Sequence, residues 1–159
     1  MNVKPFSREL YNKYNDFAIE VAVHFLLQSG YELVDKKECY KSHDFIVTRN
    51  NKKYKIEVEV SQNWTSIGFP YQDMSVPFRK SQSKADFYIR MNKSGSALFF
   101  LPMNQVLSAP VITKNTCYTK NEMFFNIPVS ELKLFYNEDN IWYEDNEEEN
   151  PTSYVPSNV

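Results

Sequence analysis

Apolar and polar residues follow two patterns along the chain, one helical and one typical of strands. Apolar side chains recur at helical spacing between residues 7 and 29, and Gly30 follows the last of them. Ser7 has a side-chain oxygen that can cap the first turn. This pattern predicts an amphipathic helix over residues 7–29, followed by a short strand over residues 31–34.

Two β-rich segments lie next to each other in the first half of the chain, over residues 44–49 and 53–60. They flank Asn50 and Asn51, a pair of residues that favours a tight turn. The pattern predicts a β-hairpin with these two residues as its loop.

The predicted hairpin brings three carboxylates onto one face of the sheet. Its register places Asp44 opposite Glu57, and Glu59 shares the face of Glu57 because side chains alternate along a strand. The other face would carry the apolar residues of both strands into the core, namely Phe45, Val47, Ile56, Val58 and Val60. Facing like charges destabilise a strand pair, so we expect a metal ion or a proton to offset them.

The remaining segments predict further strands and short helices. In chain order we expect an irregular segment over 61–76, a short basic helix beginning at Pro77, strands over 85–91, 97–103 and 123–128, and a short helix over 129–135. This order of elements predicts an α/β fold with a mixed β-sheet and one helix on each face.

Composition and charge indicate one globular domain with an acidic C-terminal segment. The chain has 159 residues, of which 42% are hydrophobic and 16% aromatic, enough for one core. Residues 36–93 carry 12 Lys and Arg against 6 Asp and Glu, whereas residues 137–159 carry 7 acidic residues and no basic ones. We therefore expect a polyanion-binding α/β domain over residues 1–136 and a mostly unpacked tail over residues 137–159.

Several features of the sequence indicate an intracellular protein. No stretch of about 18 apolar residues is present that could span a membrane, and the N-terminus lacks the apolar segment of a secretory signal. Cys39 and Cys117 have no metal-ligand spacing and are expected to be reduced thiols. We predict a cytoplasmic protein, and frequent Asn and Lys with only 3 Gly are typical of an AT-rich bacterial or phage genome.

The three carboxylates form a candidate metal site. Mg²⁺ and Mn²⁺ prefer oxygen ligands, and Mg²⁺ is usually held by one or two carboxylates together with waters and phosphate oxygens. Asp44 and Glu57 could supply those carboxylates, and the main-chain carbonyl of Val58 could add a ligand. A bound ion of this kind lowers the pKa of water, and Glu59 could orient or deprotonate that water.

The same residues resemble the core motif of the PD-(D/E)xK nuclease superfamily, which includes restriction endonucleases and archaeal Holliday-junction resolvases. Asp44 is followed, after 12 intervening residues, by Glu57-Val58-Glu59. This spacing of acidic residues is the part of the sequence that carries the resemblance most directly.

Two flanking segments extend the resemblance to about residues 14–103. The first helix, with Glu20 and its exit at Gly30-Tyr31, is similar to the helix that precedes the core hairpin in many members. The later segment RKSQSKADFYIRM is similar to the basic helix and strand that follow the hairpin. The resemblance implies a single restriction-endonuclease-like α/β domain with a mixed sheet flanked by helices.

The resemblance also implies a function, a DNA endonuclease that depends on Mg²⁺ or Mn²⁺. The metal ligands would be Asp44, Glu57 and Val58, the catalytic residues Asp44, Glu57, Glu59 and Glu20, and the phosphate contacts Arg79, Lys80, Lys84 and Lys55. Many relatives act as dimers, because cutting both strands of a duplex requires two sites. We therefore expect DNA as the partner and a homo-oligomer as the assembly.

The chain departs from the family motif at two positions, with His43 where the motif has Pro and Glu59 where it has Lys. Lys55 on the same face or Lys80 on the predicted basic helix could supply the missing cation. The alternative interpretation is a catalytically inactive nuclease-like module that binds nucleic acid or protein. Glu59 and the acidic tail favour this alternative, whereas the retained Asp44 and Glu57 favour the endonuclease.

Overall fold

The computed structural model describes residues 8–35, 44–116 and 119–145. The helices are α1, Arg8–Gln28, and α2, Met103–Leu107, with 3-10 helices over Phe78–Gln82 and Val129–Glu131. The strands are β1, Glu32–Asp35; β2, Phe45–Arg49; β3, Lys52–Ser61; β4, Asp73–Pro77; β5, Phe87–Asn92; β6, Ala97–Pro102; β7, Val111–Lys114; β8, Glu122–Pro128; β9, Leu134–Glu138; and β10, Ile141–Glu144. The predictions for Ser7, Cys39 and Cys117 lie outside the described residues.

A seven-stranded sheet in the order β1-β2-β3-β5-β6-β9-β10 forms the centre of the fold. Strands β3 and β5 run parallel, and the other neighbouring pairs run antiparallel. The predicted α/β fold with a mixed sheet is therefore confirmed. No helix in the described part of the chain is long and apolar enough to cross a membrane.

Helix α1 covers one face of this sheet, and it confirms the predicted first helix. Gly30 has a φ of 89° just after the last turn, a conformation that glycine adopts without steric cost. Phe25 is fully buried, and its ring lies 5.1 to 5.5 Å from the rings of Phe100, Phe135 and Trp142. The main core therefore lies between α1 and the central sheet.

The opposite face is covered mainly by a second sheet, so the prediction of one helix on each face is wrong. This small sheet has three antiparallel strands in the order β4-β8-β7, and the five-residue α2 packs beside it. Strands β4 and β7 and helix α2 are not predicted from the sequence pattern. A second core lies here, and its largest member, Trp64, is fully buried.

The β2–β3 hairpin has the predicted turn and register. Asn50 and Asn51 have φ values of 52° and 62°, and Arg49 pairs with Lys52. Two successive residues with positive φ match the right-handed twist of a hairpin, and asparagine tolerates this conformation better than most residues. The five paired positions end at Phe45 opposite Ile56, which brings Asp44 next to Glu57.

Two predicted helices differ from the observed structure. The basic segment after Pro77 is a 3-10 helix of five residues and not a regular α-helix. The segment 129–135 is a 3-10 helix of three residues, Val129–Glu131, followed by strand β9. Strand β9 pairs with β6 of the central sheet. This pairing outweighs the local preference of the segment for a helix.

The prediction that the chain is unpacked from residue 137 is wrong for residues 137–144. Asp139 and Asn140 have φ values of 54° and 65° and form the turn between β9 and β10. Trp142 on β10 is 1% exposed and belongs to the core under α1. The packed domain therefore continues past the predicted boundary at 136, and residues 146–159 lie outside the described residues.

Trp142 is expected to be essential for stability. Its indole N–H donates a hydrogen bond of 3.0 Å to Nδ1 of His24, and its ring packs on Phe25. We expect Trp142→Ala to lower the free energy of unfolding by about 4 kcal/mol, measured by urea denaturation. The neighbouring Ile141→Ala should cost less than about 1 kcal/mol, because Ile141 is 43% exposed. Equal losses in the two variants would show that β10 does not pack as described.

Candidate active site

Strand β3 carries acidic residues on one face and core residues on the other. It lies between the antiparallel β2 and the parallel β5, so it is a central strand. Ile56 and Val58 point into the core under α1, as predicted. Glu57 and Glu59 therefore lie on the opposite face, which the small sheet partly covers.

Asp44 is held beside Glu57 by two main-chain contacts. Its own N–H donates to the carbonyl oxygen of Ile56 at 2.7 Å. Its Oδ2 accepts a hydrogen bond of 2.7 Å from the N–H of Val58, which is 14 residues away in sequence. Because the N–H and C=O of a strand residue point to the same side, the Val58 carbonyl also faces the Asp44 side. The three predicted metal ligands are therefore adjacent.

Lys80 reaches this pair from the 3-10 helix that follows β4. Its ammonium donates to Oε1 of Glu57, and both side chains are largely buried, at 18% and 10% exposed. Burial alone would lower the pKa of Lys80, but Glu59 and Glu57 outweigh this effect and raise the pKa. Lys80 therefore remains charged and is the cation closest to the carboxylate pair among the contacts described.

Asp44 and Glu57 both have pKa values raised above the ordinary values of their side chains. Burial is the largest cause for Asp44, partly offset by the hydrogen bond from Val58 and the charge of Lys80. Burial is again the largest cause for Glu57, and the charge of Asp44 raises the pKa further. Two buried carboxylates that repel each other are a pair that a divalent cation would stabilise.

Glu59 is in a different environment from the other two carboxylates. Its Oε1 accepts hydrogen bonds from the Tyr88 hydroxyl and from Arg90 at 3.1 Å, and Arg79 lies 3.7 Å from Oε2. Burial would raise the pKa of Glu59, but Arg90, Lys80, Tyr88 and Arg79 together lower it. A carboxylate with a lowered pKa, a charged donor on one oxygen and an ion pair at the other is a weak base.

Arg90 and Tyr88 are site residues that the sequence reasoning missed. Arg90 is 7% exposed and donates to Tyr88, Glu59, the Ser61 hydroxyl and the Ser75 carbonyl. The signal was present in the alternation of the fifth strand, where these two polar residues take the positions between Phe87, Ile89 and Met91. Their register places Tyr88 beside Glu57 and Arg90 beside Glu59 on β3.

Several predicted site residues lie apart from the carboxylate pair. Glu20 is exposed on α1 and lines a different cleft, together with His24, Gly95 and Trp142. The side chains of Lys55 and Lys84 are exposed, and only the main chain of Lys55 is fixed, through its pairing with Asp86. The sequence offers Lys55 and Lys80 as sources of the missing cation. Of these two, Lys80 contacts a site carboxylate in the described residues.

Arg79 occupies an intermediate position at the edge of the site. Its side chain is 64% exposed and lies 3.7 Å from Glu59 and 3.5 Å from Glu122 on β8. Exposed ion pairs at these distances contribute little to stability. Arg79 can therefore turn toward a bound anion at small cost.

The described residues hold no cluster of three or more His, Cys, Asp and Glu side chains suited to a metal ion. A cation at this site would have Asp44 and Glu57 as its carboxylate ligands, with the Val58 carbonyl beside them. Water and substrate oxygens would have to complete the coordination. This is the pattern in which Mg²⁺ is usually bound next to phosphate groups.

Comparisons with known proteins give one structural match. No protein-family model matches the sequence, and neither does any curated protein sequence. Among solved structures, the chain is similar to the bacterial homing endonuclease I-Ssp6803I, with 19% sequence identity and a TM-score of 0.49. The alignment covers 69% of this chain and 72% of that chain.

Asp44→Asn is expected to stabilise the metal-free protein at pH 7. Because the pKa of Asp44 is raised on folding, the folded state binds more protons, and stability falls as pH rises through and above the ordinary aspartate range. Asparagine keeps an acceptor for the Val58 N–H without the charge. We expect the Tm to rise by about 3 °C, measured by thermal unfolding in EDTA.

The same melting experiment has a control and a pH test. Glu131→Gln, which changes an exposed carboxylate outside the site, should leave the Tm unchanged. The gain from Asp44→Asn should shrink as the pH falls below the ordinary aspartate pKa. A Tm for Asp44→Asn below that of the wild type at pH 7 would contradict the raised pKa.

Glu59→Gln is expected to destabilise the protein. The change leaves buried Arg90 without its counter-charge, so the free energy of unfolding should fall by about 3 kcal/mol in urea at pH 7. The pKa of Glu59 is lowered, so its contribution is present above the ordinary glutamate pKa and is lost as pH falls through the folded value. Glu122→Gln should cost less than about 1 kcal/mol. A neutral Glu59→Gln would mean that Arg90 does not need this carboxylate.

Proposed function

We propose that the protein is a metal-dependent DNA endonuclease that hydrolyses phosphodiester bonds. The observation that carries this proposal is the pair Asp44 and Glu57, two mostly buried carboxylates with raised pKa values, one just before β2 and the other on the adjacent strand β3. Their separation in sequence resembles that of the two acidic residues in the PD-(D/E)xK motif, from which the chain departs at Glu59. DNA is the proposed substrate and partner.

The residues of the site fit a Mg²⁺ or Mn²⁺ ion. Asp44 and Glu57 offer carboxylate oxygens, and the Val58 carbonyl faces the same side. When bound, such an ion supplies Lewis-acid polarisation of the phosphodiester and a lowered pKa for water. Glu57 would then be shared between this ion and Lys80.

Lys80 is proposed to take the place of the lysine that the family motif has at position 59. Its ammonium lies on Glu57 and remains protonated. From this place it can donate a hydrogen bond to a phosphate oxygen or to the attacking water, and it offsets the negative charge that develops on the phosphate. The cation thus comes from the segment after β4 and not from β3.

Glu59 is proposed to be a positioning residue. The sequence alone predicts that Glu59 assists the attacking water. Its lowered pKa and its contacts with Tyr88 and Arg90 instead suit a fixed anion that orients these groups and Arg79. Arg79, Lys84 and Lys55 are exposed and are proposed to contact the DNA backbone as mobile cations. A homo-oligomer is proposed on the ground that duplex cleavage needs two sites.

An inactive nuclease-like binding module is the second candidate function. It is favoured by the engagement of Glu59 with Arg90 and Tyr88, since this carboxylate cannot replace the motif lysine as a cation. The two functions differ in whether the carboxylate pair is needed for hydrolysis. Cleavage assays separate them.

The proposed function predicts metal-dependent cleavage of DNA. With supercoiled plasmid and a synthetic four-way junction, the wild type should cut in Mg²⁺ or Mn²⁺ but not in EDTA. Asp44→Ala should lower the rate at least about 100-fold, and Lys80→Ala about 100-fold with partial recovery in Lys80→Arg.

Two controls make the cleavage result specific to the site. Glu131→Gln and Lys93→Ala remove an exposed charge elsewhere and should cut like the wild type. Cutting that persists in EDTA or in Asp44→Ala would indicate a contaminating nuclease or another mechanism. DNA binding without cutting would favour the inactive module.

A further inference from the structure

The β2–β3 hairpin ends in a basic segment in the same sheet as the candidate active site. Residues 49–55 carry four cations, Arg49, Lys52, Lys53 and Lys55, and no acidic residue. Residues 50–53 and Lys55 are exposed. We call residues 49–53 the hairpin tip. A surface with one sign of charge attracts a partner of the opposite sign, so the tip suits an anionic partner.

The hairpin tip extends beyond the neighbouring strands. β1 pairs with β2 as far as Glu32 opposite Thr48, and β5 pairs with β3 from Phe87 opposite Ile56 onward. Within the described residues, the strand pairing of the tip is therefore confined to the hairpin itself. A partner can reach the tip without displacing a strand.

Aromatic contacts give the hairpin tip a fixed shape. The Arg49 guanidinium lies 5.2 Å from the centroid of the Tyr31 ring, and the Lys52 ammonium lies 5.3 Å from that of the Tyr54 ring. The two rings contact each other edge to face, with their centroids 5.8 Å apart. Because the tip is held in one conformation before a partner arrives, binding costs less conformational entropy.

Lys53 and Lys55 lie on the same face of β3 as Glu57. Side chains alternate along a strand, and the core residues Ile56 and Val58 take positions on the other face. At about 3.3 Å per residue, Lys55 lies about 7 Å and Lys53 about 13 Å along the strand from Glu57. The two cations therefore form a row that leads from the hairpin tip to the carboxylate pair.

The Lys53 ammonium is not engaged by a carboxylate of the described residues. None of the ion pairs among those residues includes it. Glu32 is opposite Thr48, which is opposite Lys53, so β2 separates Glu32 from Lys53 by about 10 Å. The Asp86 carboxylate accepts a hydrogen bond of 2.8 Å from the main-chain N–H of Lys55. The Lys53 ammonium is thus available to an external anion.

We propose that the hairpin tip binds the sugar–phosphate backbone of duplex DNA beside the cleavage site, with Lys53 as the phosphate contact. The inference rests on the proposed endonuclease function, because it takes the DNA that is cut at the carboxylate pair as the ligand. A backbone that follows β3 would meet Lys53 and then Lys55 before it reaches the carboxylate pair.

The chemistry of this row suits phosphate groups. Lysine is a compact point charge on a flexible stem, and phosphate contacts orient a duplex without reading its sequence. Each phosphate that is neutralised releases condensed counterions, so the affinity depends on the salt concentration. Lys53 would therefore fix how the DNA backbone runs past the carboxylate pair, whatever the base sequence.

Binding of short synthetic duplexes, measured by fluorescence anisotropy over a range of KCl concentrations, tests this contact. The proteins are full-length and carry Asp44→Asn to prevent cutting. Adding Lys53→Ala should weaken binding about fivefold at about 0.1 M KCl and lower the slope of log Kd against log salt concentration by about 0.9. Duplexes of unrelated sequence should show the same changes.

Two other lysines provide matched controls. Lys52 lies on the opposite face over Tyr54, so Lys52→Ala should lower the slope by less than half as much. Lys93 follows the end of β5, which runs parallel to β3. It therefore lies at the far end of the sheet, and Lys93→Ala should leave the slope unchanged. Thermal melting verifies that each variant is folded.

Two results of the salt titration would contradict the proposal. A slope that is the same with and without Lys53→Ala would overturn the inference. Equal effects of Lys52→Ala and Lys53→Ala would overturn the assignment of the contact to the face that carries Glu57.

Phosphate ethylation interference locates the contact on the DNA. Ethyl groups on phosphates at one side of the cut that the wild type makes in Mg²⁺ should weaken binding of the Asp44→Asn protein. At one of these positions, adding Lys53→Ala should abolish the effect. The same interference pattern with and without Lys53→Ala would also overturn the inference.

The two proposals fail in different ways. If the wild type cuts DNA and Lys53→Ala keeps its affinity and salt slope, the hairpin inference is wrong and the endonuclease stands. If Lys53→Ala weakens DNA binding as expected but the wild type never cuts, the hairpin binds DNA in an inactive module. If the wild type neither cuts nor binds DNA under any metal condition, both proposals are wrong.

Discussion

The constraint on which the structure depends is the placement of three carboxylates on one half-covered face of the central sheet, with Glu57 and Glu59 on β3 and Asp44 just before β2. Asp44, Glu57 and Glu59 lose much of their hydration there, and each needs a positive charge or a hydrogen-bond donor. Arg90 and Tyr88 meet this need for Glu59, and Lys80 meets part of it for Glu57. Burial keeps the pKa values of Asp44 and Glu57 raised, and the charge of Lys80 offsets this effect only in part.

This charge balance also connects the two layers of the fold. Arg90 binds Glu59 on the central sheet and the Ser75 carbonyl on β4, and Lys80 comes from the segment that directly follows β4. The small sheet is thereby fixed against the acidic face, where Trp64 and Phe99 stack in the second core at a centroid distance of 5.0 Å. The arrangement that neutralises the carboxylates thus also holds the two sheets together.

Local patterns made the first half of the fold predictable. The helical spacing before Gly30 and the Asn50-Asn51 turn each act over a few residues, and the register of the hairpin follows from its turn. The later elements depend on distant pairing: β9 is a strand because it pairs with β6, and β10 is packed because Trp142 reaches the core. The acidic composition of residues 137–159 predicts an unpacked tail and gives no indication of the turn at Asp139-Asn140. The sequence leaves Lys55 and Lys80 as alternative sources of the cation, because only the tertiary structure brings Lys80 into contact with Glu57.

The measurement that tests the account most directly is calorimetric titration of Mn²⁺ into the metal-free protein, in two buffers with different ionisation enthalpies. We expect one ion per chain, release of protons at pH values where Asp44 and Glu57 still hold them, and loss of binding in Asp44→Asn. Binding that is unchanged in Asp44→Asn, or no binding at millimolar Mn²⁺, would contradict the claim that these carboxylates form a metal site.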